Sequence, residues 1–263
     1  MNGLEKRLHG LGTETRAMAF LRSFVRCYLA GAGFNTRGMQ NIGLIYAMQP
    51  GLRAIHTDPA ELKTAQKRYV GHYQSHPFWM PCLVGMFLHV ESAIAAGRFP
   101  AKMLSKVKDT TAYTLSALGD SVFAGSMLIF WALLTICLLL SGQMAAPIIL
   151  GCVFFAALQA FRVYTFVGGL RQGFKFLERL KRLDLINWGR RIKYLNALLL
   201  LWLWILIWPR PFDWWEWTGG VVALLIFARF VRTQVVSRAF AAAVFVVAID
   251  RFPAVEQWIR SLL

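Results

Sequence analysis

Acidic side chains are scarce in this chain: 13 Asp and Glu stand against 29 Lys and Arg in 263 residues, a formal net charge of +16. Histidine is absent after His89. The four cysteines, Cys27, Cys82, Cys137 and Cys152, form no CxxC pair and lie among apolar residues. They read as buried small hydrophobes, which argues against a disulfide framework. No HExxH, no GxSxG elbow, no GxxxxGK(S/T) and no GxGxxG occurs. Zincin-type proteolysis, serine hydrolysis on an elbow, and unaided binding of ATP or a dinucleotide all lose their usual sequence support. Residues 1–16 carry Glu5, Lys6, Arg7, Glu14 and Arg16 with no apolar run, so a cleavable signal peptide is not expected.

What the chain has in abundance is apolar length. Hydrophobic residues make up 57% and the mean hydropathy is +0.49, above the roughly 45–50% apolar content of soluble domains. The segments Phe123–Ser141, Pro147–Gly168 and Tyr194–Trp208 reach or approach the about 20 residues of helix that cross a hydrocarbon core. Two shorter stretches follow, Gly219–Val231 and Ala239–Ile249, which suit short, tilted or re-entrant passages. The expected fold is an all-α membrane protein: amphipathic, interfacial or re-entrant helices over 1–115, then about three to five transmembrane helices over 116–263.

In such a protein the basic excess points to cytoplasmic loops and anionic headgroups rather than to nucleic acid. The Arg171–Lys193 loop carries Arg171, Lys175, Arg179, Lys181, Arg182, Arg190, Arg191 and Lys193 against Glu178 and Asp184, which places it inside. If each long segment crosses once, the N-terminus is cytoplasmic, Gln143–Ala146 is an outer turn and Arg210–Thr218 an outer loop. Trp202, Trp204, Trp208, Trp214, Trp215 and Trp217 then form an aromatic belt around that loop. Arg229, Arg232 and Arg238 return the chain to the inner face.

In the first part, Ala17, Leu21, Phe24, Val25, Tyr28 and Leu29 recur at helical spacing with Arg22 and Arg26 on another face, the pattern of an interfacial or a packed amphipathic helix. Gly31, Gly33 and Gly38 break the chain. A second helix starts at Asp58-Pro59-Ala60-Glu61, where Asp58 caps, Pro59 fits the first position and Glu61 reaches back; it is expected to run to His76-Pro77. Phe78–Val90, interrupted by Pro81 and Gly85, suits a re-entrant hairpin or a helix buried in protein.

His72 and His76, four apart, with His89 beyond, form a candidate zinc half-site and the basis of one alternative, a membrane-embedded metal-dependent enzyme. No further Cys or carboxylate stands at ligand spacing, so no bound metal or cofactor is expected. At the entrance to the first long apolar segment, Gly119-Asp120-Ser121 with Gly125 puts a carboxylate beside backbone free to bend, as a site residue or a helix cap.

The order of these signals resembles a known family. Phe20-Leu21-Arg22-Ser23, Met39-Gln40-Asn41-Ile42-Gly43 with Tyr46-Ala47-Met48 and Pro50-Gly51-Leu52-Arg53, then His76-Pro77-Phe78, then Gly119-Asp120-Ser121 with Gly125, are similar to the IID component of the mannose/fructose/sorbose family of sugar phosphotransferase systems. Lys67-Arg68 through Gln74-Ser75-His76-Pro77-Phe78 resembles its basic helix ending in a Phe-Asn-Thr-His-Pro-type turn, and Arg162 resembles the arginine closing its Phe-Asn-Leu-Val-Arg-type segment. The resemblance covers about Phe20 to Gly173. Tyr113-Thr114-Leu115-Ser116 replaces the family's Met-Gly-Pro-Leu, and Leu128-Ile129 its Arg-Pro, which marks a divergent member.

The resemblance implies a multi-pass subunit of a bacterial inner membrane that pairs with a IIC subunit, in an assembly of several IIC–IID pairs. Phosphoryl groups would pass through histidines of separate IIA and IIB proteins, so this chain would be a non-catalytic subunit. Gln40, Asn41, His76 and Asp120 are the residues expected to bind the sugar or gate its path, because amides can both donate to and accept from sugar hydroxyls and an ionised carboxylate beside a span needs a partner.

Overall fold

A computed structural model describes residues 15–208 and 213–231, with side chains to 226. The described residues are almost entirely helical and contain no strand; two isolated bridges, Asn35 with Met39 and Met39 with Tyr73, are the β pairing. Helix α1, Arg16–Arg26, is capped by the Thr15 side chain and continues as a 3-10 stretch, Cys27–Gly33. Helices α2, Asn41–Ile55, α3, Pro59–Lys67, and α4, Met80–Ala95, follow. Helix α5, Ala101–Gly119, passes through a π-helical segment, Asp120–Leu128, into α6, Ile129–Leu140. Then come α7, Ala145–Gln172, the short α8, Phe176–Arg182, and α9, Leu185–Ile207. Residues from Ile207 onward form a second compact unit. Its described part is α10, Trp214–Val231, whose Asp213 carboxylate accepts from the Trp215 N–H at 2.8 Å.

The core lies around α4. From Met80 to Leu88 every residue of α4 is buried. Of the two sequence readings for this segment, the structure takes the helix buried in protein. Pro81 is tolerated in the first turn, where its missing N–H would be unpaired anyway. Helix α7 crosses α4 where glycines remove the side-chain layer: a Cβ on Gly85 would stand 2.4 Å from the Phe166 carbonyl oxygen, and one on Gly169 2.6 Å from that of Cys82. Backbone thus rests on backbone, the close approach that small residues permit between membrane helices. Helix α9 lies along the π segment and α6, with Gly189 against Val122, Asn196 Nδ2 donating to the Ser126 carbonyl at 3.0 Å, and the Cys137 thiol 3.6 Å from the Leu199 carbonyl.

Two stretches, Ala101–Leu140 and Ala145–Ile207, contain helices long and apolar enough to cross a membrane. The 28 residues of α7 alone extend for about 42 Å at about 1.5 Å per residue, beyond a hydrocarbon core of about 30 Å. A core helix of a soluble protein would be mostly buried, whereas 22% and 11% of the most apolar windows of these stretches are buried here. Ile148, Ile149, Val153 and Phe155 on α7, and Leu198, Leu200 and Ile205 on α9, are exposed. Among the described residues nothing covers them, as suits faces turned to lipid or to another chain.

Several sequence expectations need correction. The helix that opens at Asp58 ends at Lys67 rather than at His76. Residues 68–76 instead run irregularly, because Tyr73 pairs with another segment: Gln40 N–H donates to the Tyr73 carbonyl at 2.8 Å and Tyr73 N–H to that of Gly38 at 3.2 Å. His72 and His76 therefore share no helical face. Asp58 does cap, accepting from the Glu61 N–H at 2.9 Å, while the Glu61 carboxylate lies 3.6 Å from His56 Nδ1. Asp120 is neither a cap nor a break, since helix runs continuously from Ala101 to Leu140 through it. The Arg171–Lys193 loop is largely helical: α8 takes its first basic cluster, and α9 begins at Leu185, ahead of Arg190, Arg191 and Lys193. Trp214, Trp215 and Trp217 likewise stand on α10 rather than in a loop. Cys27, Cys82 and Cys137 are buried as expected, but Cys152 is exposed on α7. The Ala239–Ile249 stretch, with Arg210, Arg232 and Arg238, lies outside the described residues, as does the side chain of Arg229.

Candidate functional site

The irregular segment between α3 and α4 delivers His76 to the helix that carries Asp120. Its anchor is the turn before α2, where Met39 takes a left-handed backbone (φ 57°) that a non-glycine residue adopts only when its surroundings impose it. Asn35 and Met39 exchange two backbone hydrogen bonds there, at 2.8 and 2.9 Å. Gln40 Oε1 accepts from the Ser75 N–H at 3.1 Å, and Asn41 Nδ2 donates to the Val70 carbonyl at 2.7 Å. Asn41 Oδ1 accepts from Asn35 Nδ2 at 2.9 Å and from the Ile42 N–H at 2.8 Å. Gln40 and Asn41 are thus engaged in fixing the 70–75 segment.

His76 and Asp120 are brought together. Gly119 lets the helix rest directly on the histidine: a Cβ there would stand 2.5 Å from His76 Cβ. The imidazole stacks on Phe123, with centroids 5.3 Å apart and planes at 22°, and packs against Phe78 at 5.5 Å. The Phe78 N–H points to Nδ1 at 3.4 Å, which leaves the proton of the neutral ring on Nε2. Burial pushes the His76 pKa below its ordinary value and outweighs the opposing pull of Asp120. His76 is therefore neutral at pH 7, a donor of hydrogen bonds rather than a fixed cation. Asp120 itself is exposed and opens the π segment, a local geometry frequent at functional sites.

Beside His76 the π segment, α6 and α7 enclose a cleft of about 360 Å³ whose walls include Phe78, Phe123, Trp131, Phe154 and Phe155. Phe123 is its hub, meeting Phe78 at 5.0 Å, Trp79 at 5.8 Å and Phe161 at 5.4 Å. Polar groups are few here. Among the described residues His76 is the one ionisable side chain in the lining, and the indole N–H of Trp131, also in the lining, is buried without a hydrogen-bond partner. An aromatic wall with isolated donors suits a polyhydroxylated ring or an inserted side chain better than it suits an ion.

The three histidines of the metal alternative are apart. His72 stacks on Tyr113 at 6.3 Å, His76 lies on Phe123, and His89 Nδ1 donates to the Leu170 carbonyl at 2.9 Å. Among the described residues no three His, Cys, Asp or Glu side chains are grouped to hold a metal.

The buried network of Glu91 escaped the sequence reading, as did the contacts of Arg162, which was noted there for its family resemblance alone. Glu91, wholly buried in α4, accepts from Arg68 Nε at 2.9 Å and Nη2 at 2.5 Å and from the Tyr69 hydroxyl at 2.8 Å, and its Oε2 lies 3.1 Å from His56 Nε2. The available signal was a lone carboxylate closing an apolar helix, which must find a cation when buried. Arg162, in the middle of α7, places its guanidinium 3.8 Å over the Tyr28 ring, and the Tyr28 hydroxyl donates to Gln159 Oε1 at 2.5 Å. A buried arginine in an apolar helix signals a partner, and that partner is the face of the half-exposed Tyr28 ring.

Residues 15–195 match the family model of the PTS system mannose/fructose/sorbose family IID component. The chain belongs to that family. Among curated IID components it is 28% identical over 175 residues to the fructose permease IID component of Bacillus subtilis (strain 168), a match covering 66% of this chain and 61% of the relative. It is 24% identical over 157 residues to the mannose-specific EIID component of Escherichia coli (strain K12), covering 59% of this chain and 56% of the relative. The matched part of this IID component thus spans about three-fifths of the length of these relatives. Two solved structures share its fold. One, described as a membrane protein, aligns with a TM-score of 0.62 at 21% identity over 72% of this chain and 70% of the other. The other, the mannose transporter ManYZ in complex with microcin E492, aligns with a TM-score of 0.53 at 21% identity over 88% of this chain and 94% of the other. The all-α membrane fold expected from the sequence is the one found.

Proposed function

We propose that this IID component is the non-catalytic membrane subunit of a mannose-family sugar permease. It pairs with a IIC subunit, in an assembly of several such pairs, to translocate a sugar that separate IIA and IIB proteins phosphorylate. The family match over residues 15–195 carries this reading. It is supported by the lightly buried apolar faces of α6, α7 and α9, which need a hydrophobic partner or lipid. The localisation proposed is the bacterial inner membrane, with several crossings, the N-terminus and the basic α8–α9 region inside, and residues 1–115 as the interfacial part. His76 and Asp120 gate or line the sugar path, with Gln40 and Asn41 holding the segment that presents His76.

Co-expression with a IIC-type subunit in cells lacking their own mannose-family permease tests the proposal. Sugar uptake and a detergent-stable complex are expected with the partner, and poor insertion without it. A well-behaved monomer indifferent to the partner would sink the assignment. Within the complex, Asp120→Asn keeps size but removes charge, and is expected to lower uptake while leaving assembly intact. If uptake survives Asp120→Ala unchanged, Asp120 has no place in the path.

A further inference from the structure

A second cavity, of about 340 Å³, lies away from the His76 cleft and is lined by Arg16, Phe20, His89, Ser92, Ala93, Arg98 and Leu170. Two guanidinium groups, an imidazole and a hydroxyl meet there, and among the described residues no carboxylate is in the lining. We propose that this cavity binds a phosphate group, as carried by the headgroup of an anionic phospholipid or by a free phosphate.

The donors are the two guanidinium groups, and the fold holds them and the cavity wall in place: the Ser92 hydroxyl proton and the His89 Nδ1 proton are already bonded to carbonyls. Arg16 Nη2 donates to Ser92 Oγ at 2.6 Å, and that hydroxyl donates in turn to the Leu88 carbonyl at 2.8 Å. The Arg16 guanidinium also lies 5.5 Å over the Phe20 ring. His89 is fixed through Nδ1 on the Leu170 carbonyl and packs against Gly173, whose φ of 56° and lack of a Cβ make room for the ring: a Cβ there would stand 2.6 Å from His89 Cδ2. Arg98 is delivered by a Schellman turn at the end of α4. Gly97, at φ 67°, donates to the Ile94 carbonyl at 2.9 Å, and the Arg98 N–H reaches back to that of Ala93 at 2.8 Å.

The competing reading is that these arginines merely neutralise the carboxyl ends of α4 and α7. Each helix end contributes about half a negative charge, so two guanidinium groups leave a surplus of about one positive charge. That surplus, with planar donors suited to bidentate contact, favours an anion of phosphate type. Phe20, Ala93 and Leu170 give the cavity an apolar wall against which a lipid's glycerol and first methylenes would fit, as in basic pockets that take lipid headgroups between membrane helices.

The full chain, purified in detergent with any subunit that copurifies, is titrated with phosphatidylglycerol or phosphatidylcholine and read by native mass spectrometry, with inorganic phosphate in a parallel thermal-shift titration. Retention of phosphatidylglycerol over phosphatidylcholine, weakened about tenfold or more by Arg98→Gln and unaffected by the charge-matched Arg190→Gln, is expected and assigns the phosphate to lipid. Stabilisation by inorganic phosphate that Arg98→Gln abolishes would support the same site with a soluble occupant. If Arg98→Gln and Arg190→Gln behave alike in both titrations, the proposal is overturned and the arginines are helix caps. Arg16→Gln serves as the second variant should Arg98→Gln fold poorly, with the same loss expected and the same equality overturning.

Discussion

Replacing Glu91 by Gln isolates one charge at the centre of the fold. The Glu91 side chain is 0% exposed and that of Arg68 14%, so the ion pair works with little screening from water. In the variant the amide oxygen can still accept one bond, but its NH2 group must face a second donor from Arg68, Tyr69 or His56. The guanidinium then stays buried without a counter-charge. Breaking one side of a buried pair costs about 3–5 kcal/mol, which for a chain of this size lowers Tm by on the order of 10 °C. Thermal unfolding in detergent, followed by tryptophan fluorescence, measures it. Arg68→Gln is expected to cost a comparable amount, and the double variant clearly less than the sum, because the second substitution removes a group already stranded by the first. A Tm for Glu91→Gln within about 1 °C of the parent, or strict additivity in the double variant, would refute the claim that this network holds α3 to α4.

Burial holds His76 below its ordinary imidazole value, so as pH falls through about 6.5 the unfolded chain gains a proton there before the folded one does. Stability present above that pH is therefore lost on acidification until the folded value is reached; His76→Phe, which keeps the stack on Phe123, should flatten this part of the pH–Tm curve, and an unchanged slope would contradict it. Gly85→Ala and Gly169→Ala each push a methyl to within 2.4 and 2.6 Å of a backbone carbonyl oxygen and should each cost about 1–3 kcal/mol or more by overpacking. Gly151→Ala meets its nearest neighbour at 3.9 Å and should be neutral or gain up to about 1 kcal/mol of helix propensity; equal effects at the three sites in the same melt would undo the crossing argument. For topology, with the exposed Cys152 first changed to Ser, a cysteine at Asn187 should react with an impermeant maleimide only from the cytoplasm and one at Thr218 only from outside, and labelling of both from one side would reverse the assignment.

Apolar length is visible in sequence because crossing a bilayer needs consecutive residues, so the long segments of α6, α7 and α9 could be read directly. The cap at Asp58 was legible for the same reason: a carboxylate, a proline and a helix start are neighbours in the chain. What failed to show was pairing at a distance. The helix expected to reach His76 stops at Lys67 because the chain beyond it bonds to Gly38 and Gln40, some 35 residues earlier, and no local periodicity records that competitor. Asp120 misled in the opposite way. Gly-Asp-Ser is locally a helix-starting signal, yet packing of Gly119 onto His76 and of Gly189 onto Val122 keeps the helix unbroken there.

The candidate site follows the same division. The sequence reading set Gln40, Asn41, His76 and Asp120 together as residues expected to bind or gate; in the structure Gln40 and Asn41 bond to the 70–75 segment, and His76 lies against the helix that carries Asp120. Glu91 shows why the distinction matters. Its carboxylate oxygens are engaged by three side chains and shut off from solvent, which suits it to hold α4 in place and leaves little free to bind a substrate. Asp120, one turn from an aromatic cleft, is exposed and makes no side-chain bond among the described residues, and the proposed role in the sugar path rests on that. A charged group whose bonds are already made is architecture; an exposed one at the start of a π-helical segment has more to gain from a polar ligand, which is why the path is proposed past Asp120 rather than Glu91.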